Sequence, residues 1–527
     1  MWIVLPQQSK YLKANNRLEA VAITNEKLTE QHSSYRQIMK ATSLFGGVQV
    51  FNILITIIRS KLIAVLLGPV GIGIAGLLNE TIGLIKGLTS FGLGTSAVKN
   101  VAEANAGGNQ ERVGVVIAVF RKWVWVTGLL GFVVTLVLSS VLSRFAFGNN
   151  EYTIAFIFLS VTLLLSQISA GQGVILQGMR QIKYLAKSGM TGSVLGLLTS
   201  IPLYYFFGKK GIVPAIIITS CTSLCLSWYF ANKVKVMKVI VSFETALTEG
   251  KSMLSLGIML SLSGLITLGA SYLVRVYISN KGGLADVGLY NAGFAMINTY
   301  VGLVFTAMST DYYPRLAGVA NDNVKASKEI NQQAEIALLI MAPILCVFLV
   351  YINWAVILLY SNKFIAINSM IHWAALGIFF KATSWAVGFL LLAKGASKIF
   401  FWNELLANIS LLTLNILGYY FYGLTGLGIS FMVAYFVYLI QLMVLTKYLY
   451  KFRFSKKCIE LFAVQFFLGL SCFLTVKLSS GLLAYAIGSG FICLSVFYSL
   501  FELDKRLGLR HLINKFFKDR EINSKRN

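Results

Sequence analysis

Ten side chains able to hold or move charge, or to hydrogen-bond, lie within or beside long apolar runs. Five are the cations Arg59, Lys61, Lys86, Arg275 and Lys381, one is the acid Glu80, and four are the polar residues Asn52, Thr56, Asn291 and Asn298. An arginine or acid at hydrocarbon depth costs roughly 2.5 to 3.5 kcal/mol on insertion scales. Groups kept there are expected to face a water-filled cavity. Their spacing agrees: Gln49, Asn52, Thr56 and Arg59 follow at steps of three and four and form one polar helix stripe. Small or polar residues flank the other charges in the same way, with Lys61 the exception. Gly76, Gly83 and Gly87 surround Glu80; Asn79, Gly83 and Ser90 accompany Lys86; Ser261, Gly264, Thr267 and Ser271 lead to Arg275; and Ala374, Gly377, Ser384 and Gly388 surround Lys381.

Five cations against one deep acid make an electropositive cleft, and low-dielectric walls strengthen its field. The expected guest is an anion. Arginine presents a fork that matches phosphate oxygens and lysine acts as a movable point charge, so a phosphate or pyrophosphate head group fits, as does a carboxylate. Glu80 has three readings: a structural partner for a cation, a proton-exchanging group, or a sodium ligand. Arg275, about four residues from its helix end, and Lys61, about 200° around the helix from Arg59, also have a route to snorkel outward. Small-residue stripes serve plain helix packing as well.

The elements that must position these groups are transmembrane helices. The chain has 527 residues, 57% hydrophobic and 13% charged, with mean hydropathy +0.73, whereas soluble proteins carry about 25% charged residues. It is an integral membrane protein. Three histidines and six cysteines without a CxxC pair suggest no metal centre, catalytic set or disulfide framework, and no cofactor is expected. The formal charge of +26 does not point to nucleic acid. Fourteen apolar runs are long enough to cross roughly 30 Å of hydrocarbon. With the N-terminus cytoplasmic, 35 of the 46 Lys and Arg residues fall on cytoplasmic segments, 6 on outside loops and 5 within spans, as the positive-inside rule requires. Both termini are therefore expected inside.

The organisation follows: a cytoplasmic extension over residues 1–37, a first lobe of six helices over 38–232, a basic loop over 233–252, a second six-helix lobe over 253–448, an appended helix pair over 449–502 and a basic tail over 503–527. Leu503 to Phe517 reads as an amphipathic basic helix on the inner leaflet or as a solvated tail. The first two helices are expected to meet in a GPVGIG turn from Gly68 to Gly73. Glu335, Glu404 and Glu460 are expected in the first turn of their spans, in reach of water.

The two lobes are related by an internal repeat. VGIGIAG at Val70 to Gly76 recurs as VGLYNAG at Val287 to Gly293, an offset of 217, and LYYFFGKKGI at Leu203 recurs as GYYFYGLTGL at Gly418, an offset of 215. Six helices is an even number, so a direct repeat keeps its orientation and leaves a cleft between two parallel bundles. Arg59 and Arg275, 216 residues apart, occupy corresponding positions.

The segment RSKLIAVLLGPVGIGIAGLLNETIGLIKGLTSFGLGTSAVKN, Arg59 to Asn100, resembles the O-antigen translocases, or Wzx-type polysaccharide flippases, of the multidrug/oligosaccharidyl-lipid/polysaccharide exporter superfamily. The likeness extends in helix order over nearly all of Ala41 to Leu500. It implies an all-α membrane fold with two six-helix lobes in a V around a central cavity, alternating between inward-open and outward-open states. It implies a cationic lumen driven by H+ or Na+, and an undecaprenyl-pyrophosphate-linked oligosaccharide moved from the cytoplasmic to the periplasmic leaflet of a bacterial inner membrane. A polysaccharide polymerase is the implied partner. Drug exporters of the superfamily more typically carry an acid on the first helix, where this chain has Arg59. A lipid II flippase and a cationic-drug antiporter are the alternatives within transport; a membrane glycosyltransferase or polymerase needs a sizeable outside loop with catalytic groups, and the outside loops here are short.

Overall fold

The computed structural model describes residues 51–507. Gln49, the extension over 1–37 and the tail beyond 507 lie outside the described residues. Among those described, eleven helical segments are long and apolar enough to cross a membrane. Three of them fold in two at a glycine of positive φ: Gly68 (65°), Gly208 (55°) and Gly423 (55°). Only glycine adopts that backbone without strain. The described residues therefore supply fourteen apolar helical segments, the number that the hydropathy predicts.

The first lobe comprises α1 (Phe51–Thr89), α2 (Leu93–Ala106), α3 (Gln110–Val137), α4 (Ser139–Phe147), α5 (Thr153–Gly178), α6 (Ile182–Phe207) and α7 (Ile212–Ala231). The second comprises α8 (Phe243–Gly282), α9 (Leu284–Ala295), α10 (Gly302–Gly318), α11 (Asn323–Leu359), α12 (Asn368–Ala393) and α13 (Ser397–Tyr450), and α14 (Lys456–Leu478) and α15 (Gly481–Leu507) form the appended pair. A π-helical stretch, Met296–Val301, joins α9 to α10. Side-chain bonds mark the hairpin in α13: Ser430 Oγ donates to Leu414 O at 2.6 Å and Gln441 Nε2 to Asn403 O at 3.0 Å. A straight helix would separate those pairs by about 24 and 57 Å.

Two boundaries differ from the sequence expectation. The turn predicted over Gly68 to Gly73 is confined to Gly68, because Pro69 has no N–H to leave unpaired and its fixed φ starts the next helix at once. The loop predicted over 233–252 is helical from Phe243 onward. Ser242 Oγ accepts the Thr245 N–H at 3.1 Å, and Glu244 complements the helix dipole in the first turn.

The first turns of α8 consequently dock on the first lobe. Trp123 Nε1 donates to Ala246 O at 2.8 Å, and Arg112 pairs with Glu249 at 2.6 Å. Gly250 lies directly beneath the Trp123 indole, where any Cβ would collide. At its other end α8 meets α13, where Tyr419 packs against Gly282 and donates to Asp286 at 2.5 Å. Helix α8 thus belongs to both lobes.

The most buried of the described spans lies in the second lobe. In α12, 67% of the most apolar window is buried, against 17% in α15, so the appended pair presents most of its surface to lipid. Polar locks hold it in place. Gln465 Nε2 donates to Ser499 Oγ at 2.7 Å, and Arg506 bridges Glu335 at 2.9 Å and Glu502 at 2.6 Å. Glu335 is therefore not the water-facing first-turn acid expected; it is 8% exposed and also accepts from Ser455. Helix α11, which carries it, opens on Asp322, whose carboxylate accepts the N–H groups of Lys325 and Val324. These bonds, that from Lys325 foremost, hold its pKa below the usual carboxylate range, so the cap is formed at neutral pH and lost as pH falls through that value.

The two lobes touch at the hairpin end through the repeat itself. Gly73 abuts Leu284 O, and Gly288 abuts Pro69 O and Gly73 N, so closely that a Cβ on either glycine would lie within 2 Å of a backbone oxygen. Gly73→Ala or Gly288→Ala is expected to disfavour this closed end by about 1–3 kcal/mol, the usual range for overpacking. Spin labels at Lys209→Cys and Lys363→Cys, one per lobe at this end, should then report a longer distance by electron paramagnetic resonance.

Candidate functional site

Directly behind that glycine contact lies a cavity of about 420 Å³ between the lobes. The second half of α1 contributes Gly76, Asn79 and Glu80, α8 contributes Arg275, α9 contributes Asn291, and the π-helical stretch contributes Asn298. Arg275 Nη2 pairs with Glu80 Oε1 at 3.2 Å, with side chains 13% and 29% exposed. The ion pair therefore bridges the lobes in a half-dry setting. Arg275 Nε also donates to Asn291 Oδ1 at 2.7 Å, and Nη1 reaches the Ser271 carbonyl and hydroxyl. Its guanidinium lies 5.4 Å from the Tyr290 ring centroid.

Gly76 has a specific reason to be glycine: an alanine methyl there would lie 2.1 Å from Asn291 Nδ2. The amide fills the groove that the small-residue stripe leaves. Asn291 Nδ2 is buried without a hydrogen-bond acceptor, an unused donor on the wall that Arg275 occupies.

The remaining predicted residues are not brought to this cavity. Lys86 lines a second one of about 370 Å³, walled by α1, α2, α3, α5 and α8, and donates to Ser166 O at 3.3 Å. Among the described residues no acid lines that compartment. Lys381 lines a third, of about 300 Å³, within the second lobe. Lys61 Nζ donates to Ile357 O at 2.7 Å, against the last turn of α11, where the helix dipole favours a cation. Arg59 is half-buried and lines none of these cavities. Asn52 accepts from Ser193 on α6 at 3.0 Å, while Thr56 donates back to Asn52 O at 2.7 Å, so that stripe serves the first lobe internally.

The single hollow expected from the sequence is therefore divided, and α8 is the partition. Its Ser261, Gly264, Leu265 and Leu268 face the Lys86 compartment, Thr267 the Lys381 compartment and Arg275 the cavity between lobes. The charge is divided too. Glu80 offsets Arg275, and Glu404, expected near water in a first turn, lines the Lys381 cavity and accepts from Tyr438 Oη at 2.7 Å. Helix α13 starts at Ser397, which puts Glu404 two turns inside. The one sequence signal for it was the Glu404–Asn408 pair at i, i+4 on an apolar helix.

Residues 62–369 match the profile of a family described as polysaccharide biosynthesis protein. The lipid III flippase of Escherichia coli K12 is 22% identical over 397 residues, covering 72% of this chain and 90% of that protein. Among solved structures, the lipid II flippase MurJ in an inward closed conformation matches with TM-score 0.66 at 13% identity, over 89% of this chain and 99% of that one. An inward-facing multidrug resistance MATE family transporter of the MOP superfamily matches with TM-score 0.62 at 16% identity, over 82% of this chain and 96% of that one. The fold is that of these transporters, and the relatives bear the names of flippases and transporters rather than catalysts.

If Glu80 and Arg275 stabilise the lobe contact mainly through each other, Glu80→Gln and Arg275→Gln should each lower thermal stability. The double variant should then lose less than the sum. A coupling of about 0.5–3 kcal/mol is expected in a double-mutant cycle, read from the thermal unfolding of the purified proteins.

Proposed function

The chain belongs to the polysaccharide biosynthesis protein family, and on that premise we propose that it is a flippase for a pyrophosphate-linked lipid oligosaccharide. Its cargo is an O-antigen or related surface-polysaccharide repeat unit on undecaprenyl pyrophosphate. It acts in a bacterial inner membrane with both termini cytoplasmic, and a polysaccharide polymerase receives the product. The observation that carries the reading is the Arg275–Glu80 pair spanning the two lobes. Support comes also from the lipid III flippase, similar over 90% of its length.

The chemistry runs as a competition. A phosphate offers the Arg275 fork more acceptor oxygens and more negative charge than Glu80 does, so an arriving pyrophosphate displaces the carboxylate. The unsatisfied Asn291 Nδ2 supplies a further donor on the same wall. Lys86 lies six residues from Glu80, about 9 Å along the helix, and with no acid in its compartment it attracts the anion before that exchange. Once Arg275 turns to the phosphate, the lobes lose their ionic bridge and separate more readily at the glycine contact. The freed Glu80, the acid that lines this cavity, is the group we assign to coupling with H+ or Na+, which links an ion gradient to the return step. A cationic drug finds no free acid here, since Glu80 is held by Arg275.

Deleting the gene should cause a lipid-linked glycan to accumulate on the cytoplasmic face, and the identity of that glycan names the cargo. Restoring wild type should clear it, while Arg275→Ala should restore less than about a tenth of the translocation, a loss of at least about 1.4 kcal/mol. Unchanged glycan distribution in the deletion strain would remove the flippase reading. Glu80→Gln should flatten the pH dependence of transport in proteoliposomes, and a profile identical to wild type would exclude Glu80 from coupling.

A further inference from the structure

The third cavity differs in kind from the other two. It is walled by the aromatic rings of Trp385, Phe389 and Tyr435, and it holds one acid, Glu404, and one base, Lys381. We propose that it is a glycan subsite, which takes sugars of the lipid-linked substrate by stacking and hydroxyl recognition. This inference rests on the glycolipid reading above and assigns the sugars a place apart from the phosphates.

The chemistry of the walls excludes the other guests. A second phosphate would face the Glu404 carboxylate. An acyl chain would strip water from both charges and return nothing to them. An organic cation would be repelled by the protein's own cation, since Lys381 lines the cavity with its Nζ 5.2 Å from the Tyr435 centroid. A pyranose satisfies every group. Its apolar C–H face lies against an aromatic ring, and its hydroxyls both donate and accept.

The polar groups are set for that exchange. Tyr438 Oη donates to one Glu404 oxygen at 2.7 Å, which fixes the carboxylate and leaves its other oxygen to accept sugar hydroxyls. The described contacts of the Lys381 ammonium are with aromatic rings, so its N–H groups remain to donate to a ring oxygen or an acetamido carbonyl. At about 300 Å³ the cavity reaches the size range of small-ligand sites. Thr267 on its wall is eight residues along α8 from Arg275, about 12 Å. Lobe separation that moves α8 aside would let a short oligosaccharide on a phosphate at Arg275 span that distance.

The test uses the full-length protein in lipid nanodiscs and two probes, undecaprenyl pyrophosphate without sugar and the same lipid carrying a disaccharide of N-acetylhexosamines. Wild type is expected to bind the glycosylated probe about tenfold more tightly. Trp385→Ala and Glu404→Gln should each remove most of that preference and keep the affinity for the bare lipid within about twofold, which also reports that they are folded. Trp385→Phe, which retains a ring, should restore most of the preference. A wild type without preference, a preference that survives both variants, or equal loss of both probes from a variant of wild-type thermal stability overturns the subsite. Failure of wild type to bind either probe overturns the glycolipid reading instead.

Discussion

Backbone lies against backbone where the two copies of the repeat meet, and the remaining geometry follows from that contact. Gly73 and Gly288 bring α1 and α9 closer than side chains would allow. Because α1 and α9 cross there, Gly76 and Glu80 on one face the Asn291 amide and the neighbouring Arg275 on the other side of the cleft. The charged pair is thus a consequence of close approach. Two helices held apart by ordinary side chains, at the usual 8–10 Å between axes, would leave the glutamate short of its partner. Because the pair spans the same cleft, moving the lobes apart at the hairpin end would pull it open.

Helix α8 turns this contact into compartments. Its first turns are fastened to the first lobe by Trp123 and Arg112 and its last turn to the second lobe through Tyr419. Between those anchors its faces look into three cavities of different character. One holds a balanced ion pair, one an unpaired lysine, and one an aromatic box with an acid and a base. A lobe motion must carry α8 with it, so a change in any compartment is felt in the others.

The appended pair follows a separate logic. Helices α14 and α15 are largely lipid-facing; Gln465 and Ser499 join the two to each other, and Arg506 ties α15 to Glu335 of α11 while pairing with Glu502 on its own helix. In hydrocarbon, apolar contact does not distinguish a neighbouring helix from lipid, so hydrogen bonds and ion pairs decide who stays attached. Arg506 and the two acids are buried enough that each needs the others. Removing Arg506 leaves Glu335 without its ionic partner, whereas Glu502 keeps Lys505 at 2.7 Å.

Much of the fold is legible in the chain alone, because it is written in local quantities. Spans are fixed by runs of apolar residues, their ends by glycine, proline and capping side chains, and the twofold organisation by the recurrence of VGIGIAG as VGLYNAG. The depth of Glu80 and Arg275, and the inference that they serve a purpose there, rest on the desolvation cost of charge, which sequence reveals through burial length. Whether cations share one space is a different matter. Arg59 and Arg275 are equivalent in the repeat, yet Arg275 meets Glu80 and Asn291 while Arg59 lines none of the three cavities, and Lys61 goes to a helix end. Helix rotation about its own axis, set by packing against neighbours distant in sequence, decides such partnerships. Glu404 was misplaced for the same reason: its helix starts earlier than its apolar run, and its partner Tyr438 comes from across a hairpin. Local pattern determines which residues enter the membrane and at what depth; the tertiary packing of helices determines which of them face one another.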